Sequence, residues 1–133
     1  MPAFMVIAWL VSIFLPGHSI LANLTNEQVN LANFAYMKAV ENNISPEKFL
    51  TLMACESQLQ INAKGDWNDE QKKYLSFGIL QFQKATFNAY SKKYSFVGQY
   101  LNPYSQISLA VLMIGRGEIK NWYWCGLRSR LLQ

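Results

Sequence analysis

The sequence predicts a mainly α, single-domain fold with one short β-like or irregular segment. Three observations carry that prediction. Apolar residues recur at three- and four-residue spacing through most of the chain after Thr25. Helix-start signals stand in front of those stretches, at Thr25, at Ser45-Pro46 and at Asn102-Pro103. Only the run from Ser76 to Gln83 is apolar, β-prone and split by a glycine, Gly78. A chain of 133 residues suits one domain, since folded units commonly run to roughly 100–150 residues.

Thr25 and Gln28 form a capping box that opens the first helix, with an apolar face of Val29, Ala32, Tyr36 and Val40 and an end at Asn42-Asn43. The second helix has Ser45 at its N-cap and Pro46 at the first position, where a missing N–H costs nothing, and should stop near Gln60. Residues 62–74 are polar, contain Gly65-Asp66 and show no helical stripe, which predicts a loop. Gly78 then suggests a tight bend or a close approach of backbone to another group. Helical spacing resumes from Lys84 to Tyr94 through Phe87, Tyr90 and Tyr94. Asn102-Pro103 starts an apolar helix with Ile107, Ala110, Val111 and Ile114 on its stripe, ended by Gly115-Arg116-Gly117. The aromatic tail around Trp122, Tyr123, Trp124 and Cys125 should fold back onto the body.

The composition, 51% hydrophobic and 15% charged, is that of a globular protein and excludes a disordered one. Twelve Lys+Arg against eight Asp+Glu give a net charge of +4. That excess suits an anionic partner such as cell-wall polymer, nucleic acid or lipid headgroups. The basic residues are scattered, and no basic helix or binding motif supports a nucleic-acid function. Arg116, Lys120, Arg128 and Arg130 read as solvated surface, with wall polymer as the alternative contact.

From Pro2 to Leu15 the chain is apolar apart from Ser12, and Pro16-Gly17 breaks the run. Residues 1–22 therefore read as an export signal, with an uncleaved anchor reaching Leu24 as the competing reading and the only membrane attachment expected. Residues 23–133 form the mature domain, placed in the periplasm or outside the cell. The only histidine, His18, leaves with the signal. Two cysteines remain, Cys55 and Cys125. Export would favour a disulfide between them, and two buried free thiols are the alternative. Without histidine they make no zinc site, so neither metal nor cofactor is expected.

Residues 49–59 hold the most informative stretch. At 100° per residue, Phe49, Leu52, Met53, Glu56 and Leu59 share one helix face. A carboxylate thus stands where a core side chain is expected. Burying it unpaired raises its pKa, and a proton retained near neutral pH can be donated by a general acid. The plain alternative is a half-exposed Glu at a helix end, or one paired with a cation.

Glu56-Ser57, an intervening loop, Ser76-Phe77-Gly78-Ile79-Leu80-Gln81 and then Thr86-Phe87 together resemble the lytic transglycosylases of the SLT type. Asn102-Pro103 followed by Gln106-Ile107 fits a third motif of that family, so the likeness runs from Ile44 to Gly117. It implies a lysozyme-like fold, shared with goose-type lysozyme, with peptidoglycan glycan strands in a cleft. It implies cleavage of the bond from N-acetylmuramic acid (MurNAc) to N-acetylglucosamine (GlcNAc), with Glu56 as acid and then base. By the same likeness Gly78 and Gln81 line the cleft, the glycine giving backbone access and the glutamine bonding to sugar, while Ser57 and Ser76 act as local supports.

Two departures stand out. The loop from Asn62 to Tyr74 is longer than the family linker, and a later tyrosine motif has no clean counterpart, Tyr123 being the nearest candidate and Tyr104 the next. Trp67, in the polar loop, is the aromatic expected to stack on sugar, whereas Trp122, Trp124, Tyr74 and Tyr90 more naturally pack in the core.

Glycosidases ordinarily use two carboxylates, but an N-acetyl group beside the reacting carbon can assist from the substrate side. Glu56 would then protonate the leaving oxygen and recover the proton from the sugar 6-hydroxyl, closing a 1,6-anhydro ring. Two alternatives remain at this level. One is a goose-type muramidase in which Asp66 or Asp69 activates water. The other is a non-catalytic domain that binds glycan or a secretion or conjugation apparatus.

Overall fold

A computed structural model describes residues 24–133, so the signal-or-anchor reading of residues 1–22, and His18 with it, lies outside the described residues. At the start of helix α1 (Asn26–Glu41) the Thr25 hydroxyl accepts from the Gln28 amide at 3.1 Å. The Thr25 N–H donates back to the Gln28 side chain at 2.8 Å. The buried face of α1 is Leu31, Ala32, Ala35 and Ala39. This corrects the expected stripe, because Val40 is 53% exposed. Three alanines let neighbouring helices approach closely, so the small side chains turn inward.

Helix α2 (Pro46–Ser57) is capped by Ser45 and carries Pro46 in its first turn. It ends three residues earlier than expected. Gln58 and Leu59 both take left-handed backbone conformations, with φ of 53° and 62°, which non-glycine residues adopt at some cost. That turn still delivers Leu59 to the core at 1% exposure. The Gln28 side chain holds it there by donating to the Leu59 carbonyl at 3.0 Å.

Residues 62–74 are not a loop, which is the second correction. Strand β1 (Lys64–Asn68) pairs antiparallel with β2 (Lys73–Phe77), with Gly65 opposite Ser76 and Trp67 opposite Tyr74. Strand β3 (Phe82–Gln83) adds to the other edge of β2. Most residues of β1 and its tip face water, so no apolar alternation marks the strand. What holds the hairpin is its backbone ladder, an Asn68 side chain accepting from the Gln71 amide at 2.7 Å, and an edge-to-face Trp67–Tyr74 pair at 5.0 Å.

The bend at Gly78 is real and has an identifiable cause. Gly78 has φ of 88°, and an added Cβ would meet the Gln106 side chain at 2.5 Å. Gln106, fully buried in α4 (Pro103–Gly115), accepts from the Leu80 amide at 3.0 Å. It also donates to the carbonyls of Phe77 at 3.1 Å and Tyr100 at 3.0 Å. A single buried amide thus satisfies three backbone groups.

Helix α3 (Lys84–Lys93) buries Phe87, and α4 buries Ile107, Ala110 and Val111 as its spacing implied. A 3-10 turn (Ile119–Trp122) leads into α5 (Tyr123–Arg128). The tail folds back only in part. Trp122 is buried, donates to the Leu80 carbonyl at 2.9 Å and meets Phe82 edge-on at 5.4 Å. Trp124 is 80% exposed and Tyr123 is exposed beside it. Cys125 is bonded to Cys55, which clamps α5 to the end of α2. The fold is mainly α with a small antiparallel sheet at one side. Among the described residues no helix is long and apolar enough to cross a membrane.

Candidate active site

Phe49, Leu52 and Met53 all pack into the core, and Glu56, next on their face, is half-buried. Among the described residues no cation lies within ion-pair distance of it; the ion pairs formed are Lys38–Glu41 and Lys93–Glu118. Loss of hydration, with a smaller push from the charge of Asp66, raises the Glu56 carboxyl from 4.5 to about 7. Both causes disfavour the anion. A carboxyl at that value exchanges its proton readily at neutral pH.

Asp66 is the sheet's contribution. It takes a left-handed conformation in β1, with φ of 53°, and its carboxylate accepts from the buried Ser76 hydroxyl. Asp66, Ser76, Gln81, Thr86 and Asn121 line a groove of about 240 Å³ with Trp122 in its wall. Glu56 is outside that lining. The link between them is Asp66, which borders the groove and acts electrostatically on Glu56.

Gln81 faces this groove in a constrained pose. Its amide nitrogen donates to the carbonyls of Ala63 at 3.0 Å and Gly78 at 2.9 Å. Its Oε1 is left as an acceptor, packed where a side chain on Gly65 would stand. Gly78 is buried against Gln106 and is not among the residues that line this groove; its φ of 88° and the nearness of the Gln106 amide account for a glycine there. Ser57 is buried too, its hydroxyl donating to the Met53 carbonyl at 3.2 Å. It supports the helix end.

The aromatic candidates disperse. Tyr123 pairs edge-on with Trp124, Tyr104 pairs with Phe34, and neither lines the groove. Tyr90 donates to Glu118 and accepts from Asn121, so its hydroxyl is committed internally. Trp67, 51% exposed, borders a second groove on the hairpin. Among the described residues no cluster of His, Cys, Asp or Glu could hold a metal ion.

The sequence reading missed the structural role of Gln106 and the contact between Asp66 and Ser76. The first had a signal, a lone glutamine inside an apolar helix stripe. The second depends on the pairing of Gly65 with Ser76, which polar strands do not announce.

Residues 33–121 match the family described as Transglycosylase SLT domain. No curated protein and no solved structure matches the chain. The matched span starts within α1 and ends in the 3-10 turn, so it holds Glu56, the sheet and Gln106. The fold is lysozyme-like, and the chain belongs to the SLT family of peptidoglycan-directed transglycosylases.

Proposed function

We propose that this protein is a lytic transglycosylase that cleaves the MurNAc–GlcNAc β-1,4 bond of peptidoglycan and leaves 1,6-anhydro-MurNAc ends. The observation that supports this most is the half-buried Glu56 carboxyl, held at about 7 with no cationic partner among the described residues. Glu56 protonates the leaving glycosidic oxygen while the neighbouring acetamido group stabilises the cationic carbon. The Glu56 anion then takes the proton of the 6-hydroxyl, whose oxygen closes onto that carbon. The acid is regenerated, no water is consumed, and no cofactor takes part. In this scheme Gln81 accepts a hydrogen bond from a sugar hydroxyl through Oε1, and Ser76 holds Asp66.

Asp66 gives a second reading some footing. It is exposed, borders the groove and acts on Glu56, as a carboxylate that activates water in a goose-type muramidase would. Product mass separates the two, since anhydro ends are one water lighter than reducing ends. Replacing Asp66 by Asn should leave the lytic reaction running and would stop the hydrolytic one.

The disulfide supports a site of action outside the cytoplasm. We further propose that residues 1–22 direct export to the periplasm or beyond, and that the substrate is the glycan strand there. Association with a secretion or conjugation apparatus belongs to the same proposal and is tested by co-purification from cells.

A further inference from the structure

The hairpin builds a second groove, of about 670 Å³, that the reaction above does not use. Lys64, Lys72, Lys73 and Lys84 converge on it, and no carboxylate lines it. None of the four makes an ion pair among the described residues. The four lysines outnumber the two carboxylates at the hairpin tip, Asp69 and Glu70, and like charges in excess repel one another, so the arrangement is relieved by an anion. Trp67 and Tyr74 form part of the wall, both exposed and braced edge-to-face at 5.0 Å. The Trp67 N–H is already donated to Asp69 at 2.9 Å, which fixes the ring and leaves its apolar surface to a ligand. Glu70, at the hairpin tip, does not line the groove.

Gln83 borders both this groove and the one that holds Asp66, Ser76 and Gln81. Whatever occupies the basic groove therefore lies beside whatever occupies the candidate active site. A sugar backbone is neutral and offers four ammonium groups hydrogen-bond acceptors but no counter-charge. In peptidoglycan the lactyl ether of each muramic acid carries a short peptide with free carboxylates, so charge hangs to the side of the strand. Lysine suits such a ligand, because a flexible point charge can follow carboxylates held in no fixed plane.

We propose that the hairpin groove is a binding site for the anionic peptide stem of peptidoglycan, and that this protein acts preferentially on strands that keep their stems. The proposal rests on the peptidoglycan reading above. It assigns the long hairpin a substrate-selecting role.

The test is binding by the full chain carrying Glu56→Gln, which should not digest its ligand, to sacculi freed of phosphate polymers by acid. The same sacculi are compared after their carboxylates are blocked as amides, and again as the soluble strands that amidase frees of their stems, with the lactyl carboxylates it uncovers blocked in the same way. Several exposed ion pairs acting together predict roughly tenfold weaker binding to both treated forms. Adding Lys64→Gln, Lys72→Gln, Lys73→Gln and Lys84→Gln should abolish the preference. All four side chains are exposed, so the fold should hold. If it does not, the paired variants Lys72→Gln/Lys73→Gln and Lys64→Gln/Lys84→Gln carry the test, each expected to reduce the preference. Equal binding to all three materials would overturn the proposal, as would a full preference kept by the lysine variants. Tighter retention on duplex DNA than on sacculi at the same salt would also overturn it, by pointing to a nucleic-acid groove. Digestion of stripped strands by the wild type is scored separately. No cleavage there or on intact sacculi counts against the enzymatic reading alone.

Discussion

Glu56 ends a helix face that Phe49, Leu52 and Met53 have already committed to the interior, and its anion is short of solvent. Two consequences belong to this one residue. The acid form is depleted as pH rises through about 7, so cleavage should fall on the alkaline side with a limb near that value. The folded chain also holds this proton more tightly than the unfolded one, whose carboxyl titrates near 4.5. Its contribution to stability is therefore full below about pH 4.5 and is lost as pH rises through about 7. Glu56→Gln should accordingly stabilise the protein at pH 8 by roughly 1–3 kcal/mol, allowing for partial exposure, and change little at pH 4. Denaturant titrations of both proteins at the two pH values measure it. Glu56 was legible because one charged residue interrupts an apolar stripe, a pattern that needs no partner. Asp66 was legible only as one of two carboxylates, with Asp69, in a polar stretch; that Asp66 is the one that acts on Glu56 depends on the fold of the hairpin.

At the scale of elements, the turn from β2 to β3 depends on the mutual fit of Gly78 and Gln106. Gly78→Ala places a methyl group against a buried amide and a left-handed φ on alanine. It should destabilise by roughly 2–4 kcal/mol in chemical denaturation. Gln106→Ala leaves the Leu80 amide and the Phe77 and Tyr100 carbonyls without their partner. About 3 kcal/mol or more should be lost, since unsatisfied buried groups cost roughly 1–3 kcal/mol each. Near-normal stability of either variant would remove the pair from the account of how the groove is held. Helices α1, α2 and α4 could be read from caps and spacing, since Thr25, Ser45 and Asn102 each accept from a first-turn amide, and α3, which has no side-chain cap, from spacing alone. The hairpin could not, because its strands bury little and their ladder is made by backbone. The inward face of α1 was misread for a related reason: alanine has too little apolar surface to signal a contact that depends on its being small.

The whole molecule is tied by the Cys55–Cys125 disulfide, whose partners are 70 residues apart. Closing so long a loop stabilises by at most about 4 kcal/mol on chain-entropy grounds. Reduction, or Cys125→Ser, should lower the melting temperature markedly. It should also depress activity below the melting range, because α5 then no longer clamps the residue next to Glu56. Unchanged activity in the reduced protein would separate the clamp from the site. The central claim is that one sheltered carboxyl cuts a glycan strand without admitting water. Digestion of purified sacculi by the wild type and by Glu56→Gln, with products weighed by mass spectrometry, tests it most directly. The account predicts 1,6-anhydro muropeptides from the wild type and at least a hundredfold less product of any kind from the variant. Reducing ends in place of anhydro ends, or a variant that cleaves at a comparable rate, would contradict it.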